Sequence, residues 1–463
     1  MTFEDCELAL LRQAVDENEA VVGAKIANSE DVKKIIKIVE NFLVQKKRVC
    51  YGGTAINNIL PSYAQFYNRD VEIPDYDFFS DHALEDAKEL ADIYNDAGYT
   101  EVEAKSGMHH GTFKVFVNFI PVADITHLEE QIYKSIQKEC ISRAGIRYAP
   151  PNFLRMSMFL ELSRPMGDIS RWEKVLKRLT LLNKYYPLKT NSCATVDFQR
   201  VMEKDASKSE KLYLTVRDTV IDQGVVFFGG YATSLYGRYM PANRSRLVKK
   251  IPDFDVLSED IDTCALIVLE TLKESGFENC KEIKHAAIGE LIPERIEIIV
   301  GKETVAFIYK PIACHNYNTI MIAEKQINVA TIDTMLSFYL AFIYADLSYF
   351  NKDRILCMAE YLFDVEQQNR LEQKGLLKRF SISCYGKQTR LEDIRAEKTK
   401  KYKELAEKQG TRDYEMWFLK YIPQNARVKP GKTRSKASTE KSKDNVKPKS
   451  SKTRKVRFMD IFE

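Results

Sequence analysis

Two stretches of this chain set out the same elements in the same order. Arg48 to Pro61, RVCYGGTAINNILP, reads as a short buried strand, a double-glycine turn and a helix, and Glu72 to Ser80, EIPDYDFFS, follows as another strand. Gly224 to Pro241, GVVFFGGYATSLYGRYMP, and Lys250 to Ser258, KIPDFDVLS, repeat them. Gly52 and Gly229 lie 177 residues apart and Asp75 and Asp253 lie 178 apart, so spacing is kept along with order. A repeat of this kind implies two copies of one folded unit.

The likeness extends outwards. Upstream, Ser29 is placed as the N-cap of an apolar-periodic helix running to Lys46, and residues 207–223 take the same part in the second copy. Downstream, FKVFVNFIPVADITHL (113–128) is set against VAFIYKPIACHNYN (305–318), with Pro121 on Pro311, and helical stretches 152–185 and 331–363 close each unit. The expected fold is α/β (α+β): two tandem domains, each a mixed sheet flanked by helices. Their expected bounds are an N-terminal extension 1–28, a first domain 29–190, a second 205–370, a helical segment 371–423 and a disordered basic tail 424–463. Thr389 with Glu392 is read as a capping box opening a charged helix that Gly410 closes.

Charge separates the tail from the rest. Between Arg427 and Arg457, 13 Lys and Arg stand against Glu440 and Asp444, a balance of +11; with Asp460 and Glu463 also set aside, residues 1–426 stand at −5. Such a tail suits a polyanion or an acidic partner surface. At 44% hydrophobic and 29% charged residues, the chain as a whole is neither collagen-like nor wholly disordered. Nine scattered cysteines with no zinc-type spacing suggest reduced thiols in a cytosolic or nuclear compartment. The acidic N-terminus and the short apolar run Met335 to Ala345 support neither a signal peptide nor a membrane span.

The first copy carries the chemistry. Strand alternation puts Asp75 and Asp77 on one face with Tyr76 on the other. Neighbouring carboxylates suit Mg²⁺ or Mn²⁺, and Asp124, on another strand-like segment, offers a third. Three carboxylates can hold two metal ions about 4 Å apart, one on an attacking hydroxyl and one on a leaving phosphate. Gly52 and Gly53 allow a phosphate to approach the backbone, the following helix presents free N–H groups, and Thr54 adds a hydroxyl. A triphosphate cradle facing a metal site implies nucleotidyl transfer. In the second copy the proline alignment puts Cys314 where Asp124 stands and Tyr231 where Thr54 stands, so that copy keeps Asp253 and Asp255 but loses catalysis.

The runs YGGTAIN, PDYDFFS, PVADITHL and LRMSMFLELSRP resemble the poly(A) polymerase catalytic subunit of large cytoplasmic DNA viruses of the poxvirus, asfarvirus and mimivirus type, within the DNA polymerase β-like nucleotidyltransferase superfamily. The resemblance covers roughly residues 30–370. It implies an active nucleotidyltransferase domain, a degenerate copy behind it, and template-independent addition of AMP from ATP to the 3′ end of single-stranded mRNA. It assigns Gly52, Gly53 and Thr54 to the triphosphate and Asp75, Asp77 and Asp124 to the metals, with Asp124 also activating the RNA hydroxyl. It implies either a homodimer or a separate processivity subunit, and a virion and host-cytoplasm location without a membrane.

Arg155, Arg171, Lys174, Lys177 and Arg178 follow the third aspartate on a helical stretch. Arg171 and Lys174 are taken as the phosphate contacts, against an exposed helix face as the plainer reading. Tyr185 and Tyr186 are assigned to packing rather than base stacking, His109 and His110 to a loop, and the Met335 to Phe350 stripe to core. The tail is read as an RNA tether or a solubilising segment, and RFMDIFE as a docking motif or a frayed end. Two other functions compete: nucleotidyl transfer to a different acceptor (a tRNA end, a nucleotide or a small molecule), and a non-catalytic RNA-binding or assembly factor.

Overall fold

A computed structural model of the protein describes residues 3–68, 70–190, 193, 206–241 and 253–423, so the basic tail and RFMDIFE lie outside the described residues. Helix α1 (Phe3–Ala27) leads into α2 (Glu30–Lys46). Glu30 and Asp31 in the first turn of α2 complement the helix dipole, and Ile35, Val39, Phe42 and Leu43 recur at helical spacing to form its buried face. Ser29 stands at the N-cap position, but its side chain makes no capping hydrogen bond.

The first unit continues as β1 (Val49–Cys50), α3 (Gly52–Ile59), β2 (Tyr76–Ser80), α4 (Ala83–Asp96), β3 (Val102–Ser106), β4 (Thr112–Val117), β5 (Ile120–His127), α5 (Glu130–Gln137), β6 (Ile141–Arg143) and β7 (Ile146–Tyr148). Helices α6 (Pro151–Leu162) and α7 (Trp172–Tyr185) close it; the single helical stretch expected over 152–185 is broken between them, around Pro165 and Gly167. The second unit repeats the scheme with α8 (Ala206–Asp222), β8 (Val226–Phe228), α9 (Gly229–Tyr236), β9 (Phe254–Leu257), β10 (Cys280–His285), β11 (Arg295–Val300), β12 (Glu303–Tyr309), β13 (His315–Ile322) and β14 (Lys325–Ala330). Helices Ile332–Phe342 and Lys352–Gln368 follow, again two where one stretch was expected.

Each unit contributes one mixed sheet. The first runs β16-β3-β4-β5-β2-β1-β7-β6 and the second β10-β11-β12-β9-β8-β14-β13-β15, where β15 is Cys384–Tyr385 and β16 is Lys420–Tyr421. With β15 and β16 set aside, the two orders match strand for strand. The parallel pairs match too: β2 with β5 and β1 with β7 in one, β9 with β12 and β8 with β14 in the other.

Strand matching corrects the sequence alignment of the copies. Segment 113–128 contains β4 and β5, whereas 305–318 contains β12 and the start of β13, so the two were set one strand out of step. Asp77 pairs with Asp124, and Asp255 pairs with Phe307. The counterpart of Asp124 is therefore Phe307 and not Cys314. Pro121 lies within β5 and Pro311 lies beyond β12, so they are not equivalent.

The segment after residue 370 ties back to both sheets, β15 onto β13 and β16 onto β3, and so is not purely helical. The charged helix Leu391–Leu405 is opened by Arg390 and Asp393, one residue later than the Thr389 and Glu392 reading. Gly410 does adopt a positive φ of 84°. Two disulfides, Cys193–Cys357 and Cys314–Cys384, overturn the reading of all nine cysteines as reduced thiols. Their partners are 164 and 70 residues apart, beyond the reach of any spacing rule. The units meet where α6 packs on helix Ile332–Phe342, and Phe153 meets Tyr344 edge-on at 5.3 Å just beyond that helix. No described helix is long and apolar enough to cross a membrane.

Candidate active site

The site is built on the central strands of the first sheet. Tyr76 and Phe78 are buried on one face of β2 and anchor it, which leaves Asp77 and, just before the strand, Asp75 to emerge on the other face. In parallel register, Asp77 faces Asp124 on β5; in antiparallel register, Lys114 on β4 faces Asp124. Lys114 Nζ donates to Asp124 Oδ2 at 2.5 Å. Asp124 Oδ1 is buried and has no hydrogen-bond partner among the described residues.

Burial, reinforced by repulsion from Asp75 and Asp124, pushes the Asp77 carboxyl up to about 7. Burial followed by repulsion from Asp124 raises Asp75 as well. Carboxyls that raise one another in a buried patch call for cationic charge. Among the described residues, no three His, Cys, Asp or Glu side chains are already assembled as a metal cage. The orphaned, buried Asp124 oxygen and the hard, all-oxygen donor set nevertheless fit a divalent ion.

The glycines are explained first by sterics. Gly52 begins α3 with φ 73°, and a Cβ there would stand 2.5 Å from Asp77 Oδ2. Gly229 in the second copy has φ 70° and is pressed in the same way by Asp255. The first glycine of each pair thus lets a helix start against an aspartate, whether or not the copy has chemistry. At Gly53 a Cβ would stand 2.6 Å from Tyr67 Oη and 2.9 Å from Arg178 Nη2, so a guanidinium lies on the helix start. Tyr51 N–H donates to the Asp77 carbonyl at 2.9 Å, and the Tyr51 side chain, at the N-cap of α3, makes no capping hydrogen bond. The first N–H groups of the helix are open to an anion.

The basic residues sort themselves. Arg178 donates to Tyr67 Oη at 2.5 Å and lies over the rings of Phe66 and Tyr67. Arg171 acts electrostatically on Asp77 and pairs with Glu161 at 3.2 Å. Lys174 stands among Arg178, Arg171 and Glu72; partial burial, then the two guanidinia, lower its pKa. Lys177 pairs with Glu173 on an exposed face. Arg155 is fully buried, donating to Asn183, Asn152 and the Tyr186 carbonyl, and is structural. Thr54 is a correction: its hydroxyl is buried and donates to the Asp75 carbonyl at 2.7 Å, so that proton is not offered to a phosphate. It lines a cavity of about 270 Å³ with Asn57, Asn58, Tyr67, Glu72 and Asp75.

Neither Lys114 nor the Arg178–Tyr67 pair stands out in the linear sequence. The first would have shown only in the β4–β5 register, and the second joins residues 111 positions apart. Tyr186 donates to the Ile59 carbonyl and Tyr185 meets Tyr63 edge-on, in keeping with packing. The corresponding place in the second unit is filled by Phe307, Tyr309 and Tyr339, all buried.

Residues 37–168 match a protein-family model described as poly(A) polymerase catalytic subunit. A protein of African swine fever virus (isolate Pig/Kenya/KEN-50/1950), provisionally named poly(A) polymerase catalytic subunit, is 27% identical over 218 residues, which is 44% of this chain and 46% of the relative. A mimivirus protein of Acanthamoeba polyphaga with the same provisional name is 30% identical over 161 residues, 34% of this chain and 27% of that one. The matches thus span half or less of the relatives' length. In fold, the chain resembles the Megavirus polyadenylate synthase, with TM-score 0.77 and 18% identity over 92% of this chain and 86% of that one.

Proposed function

We propose that this chain, related through residues 37–168 to the viral poly(A) polymerase catalytic subunits, adds AMP from ATP to the 3′ end of single-stranded RNA without a template. The observation that carries the reading is the juxtaposition of Asp75, Asp77 and Asp124 with the uncapped start of α3 and Arg178. A cluster of carboxylates beside an anion-binding helix end serves phosphoryl chemistry better than it serves packing.

Each residue has a part. The first N–H groups of α3 and the Arg178 guanidinium hold the triphosphate, and Tyr67 and Phe66 fix that guanidinium in place. Arg171 and Lys174 lie along the same path and offer further charge. Asp75, Asp77 and Asp124 would hold two divalent ions, which when bound neutralise charge on the attacking and leaving oxygens. The RNA 3′-oxygen forms a bond to the α-phosphorus, the bond from that phosphorus to the bridging oxygen breaks, and pyrophosphate leaves. Asp124 takes up the hydroxyl proton.

The test is extension of 5′-labelled single-stranded RNA by the full chain with Mg²⁺ or Mn²⁺ and each nucleoside triphosphate separately. A ladder with ATP alone is expected. Equal extension with all four nucleotides would overturn the adenylate reading, and transfer only to a tRNA end or a small molecule would replace it with another acceptor.

A further inference from the structure

Lys114 is tied to the site by three independent observations. Register sets it directly opposite Asp124 on the neighbouring antiparallel strand, between the buried Phe113 and Val115. Its ammonium holds one oxygen of that carboxylate, Oδ2 at 2.5 Å, while the other, Oδ1, is buried and has no partner among the described residues. In the second unit the same two positions are Glu297 and Phe307. Glu297 there binds His285 at 2.9 Å and Thr304 at 2.5 Å. Where the third carboxylate is gone, so is the lysine, and its replacement serves another contact.

We propose that Lys114 is a positioning residue for a divalent-metal site: it pins Asp124 through Oδ2, so that Oδ1 is the oxygen presented as ligand. This rests on the reading of Asp75, Asp77 and Asp124 as metal ligands. A carboxylate on a single strand can rotate about two side-chain bonds, and a fixed donor on one oxygen removes that freedom before the ion arrives. Partners that orient a metal ligand in this way affect metal affinity about 10–100-fold.

Charge and positioning make opposite predictions for removal of the lysine. If Lys114 were only a nearby positive charge, deleting it would leave the carboxylates more negative and bind a cation more tightly. If it positions Asp124, deletion weakens binding. The experiment is Mn²⁺ binding to the full chain without nucleotide, read as the electron paramagnetic resonance signal of free Mn²⁺. It compares the wild type, Lys114→Met, Lys114→Arg and an Asp75→Asn/Asp77→Asn control, with circular dichroism confirming the fold. Lys114→Met is expected to weaken Mn²⁺ binding about 10-fold or more, and Lys114→Arg to fall between it and the wild type. Should Lys114→Met not fold, Lys114→Arg, which keeps the charge but displaces the donor, makes the same comparison. Binding by the folded variant as tight as wild type, or tighter, would overturn the proposal. Mn²⁺ binding unchanged in the double aspartate control would instead overturn the metal-site reading, and the proposal with it.

Discussion

Asp77 and Asp124 are register partners across the parallel pairing of β2 and β5, and in the second unit the same register joins Asp255 to Phe307. One fold thus contains both the intact constellation and its altered copy. Replacing Asp124 by Asn keeps shape and removes charge, and should lower nucleotidyl transfer by about 10³-fold, or about 4 kcal/mol, with little change in melting temperature. The reverse change, Phe307→Asp, should not create a site. Phe307 is buried and its ring stacks on Tyr349 at 5.6 Å, so a carboxylate there would be unpaired among aromatics and destabilise the protein by roughly 3 kcal/mol or more. Thermal melting of that variant checks it.

The raised pKa of Asp77 has a signed consequence for stability. In the unfolded chain this carboxyl ionises near 3.8, and in the folded protein near 7. Its contribution is present in full below pH 4 and is lost as pH rises through 7, because the folded state binds the proton more tightly. Asp77→Asn should therefore match the wild type in stability at pH 4 and exceed it at pH 8, on the order of 2–4 kcal/mol. Urea titrations in chelator at both pH values measure the gap.

Gly52→Ala meets two costs at once. The backbone at φ 73° disfavours any side chain by about 1–2 kcal/mol, and the methyl group would press on Asp77 Oδ2. Both stability and transfer should fall. Gly229→Ala should lose stability to a similar degree, since Asp255 stands in the same relation to it, yet retain more transfer. Melting and primer extension on the two variants separate these effects.

Arg178 and Arg155 lie on neighbouring helices and predict opposite outcomes. Arg178→Ala should raise the KM for ATP about 10-fold or more, the value of one charge-assisted contact, while the protein stays folded. Arg155→Met leaves Asn152, Asn183 and the Tyr186 carbonyl without their donor, and should cost about 2–4 kcal/mol of stability. Steady-state kinetics and denaturation distinguish the two.

The sequence was legible where the physics is local. The glycine pairs, the two Asp-x-Asp strands and helix α2 follow from side-chain alternation, φ freedom and apolar spacing within a few residues. It was misread where meaning depends on register. Pro121 and Pro311 look equivalent in a linear alignment, but the neighbour of Asp77 is set by hydrogen bonding between strands, and that rule selects Phe307 as the partner of Asp255. Arg155 and Arg178 are indistinguishable as cations along the chain; only burial shows that one holds the fold and the other faces Gly53. The disulfides were hidden for the same reason, because pairs such as Cys193 with Cys357 are brought together only by the fold.

On the proposed function, the chemistry belongs to the first unit and the second supports it. The most direct measurement is RNA extension with ATP by two matched variants, Asp77→Asn and Asp255→Asn, each verified as folded. Asp77→Asn is expected to abolish the ladder and Asp255→Asn to leave most of it. A ladder that survives Asp77→Asn, or one lost equally in both variants, would contradict that assignment.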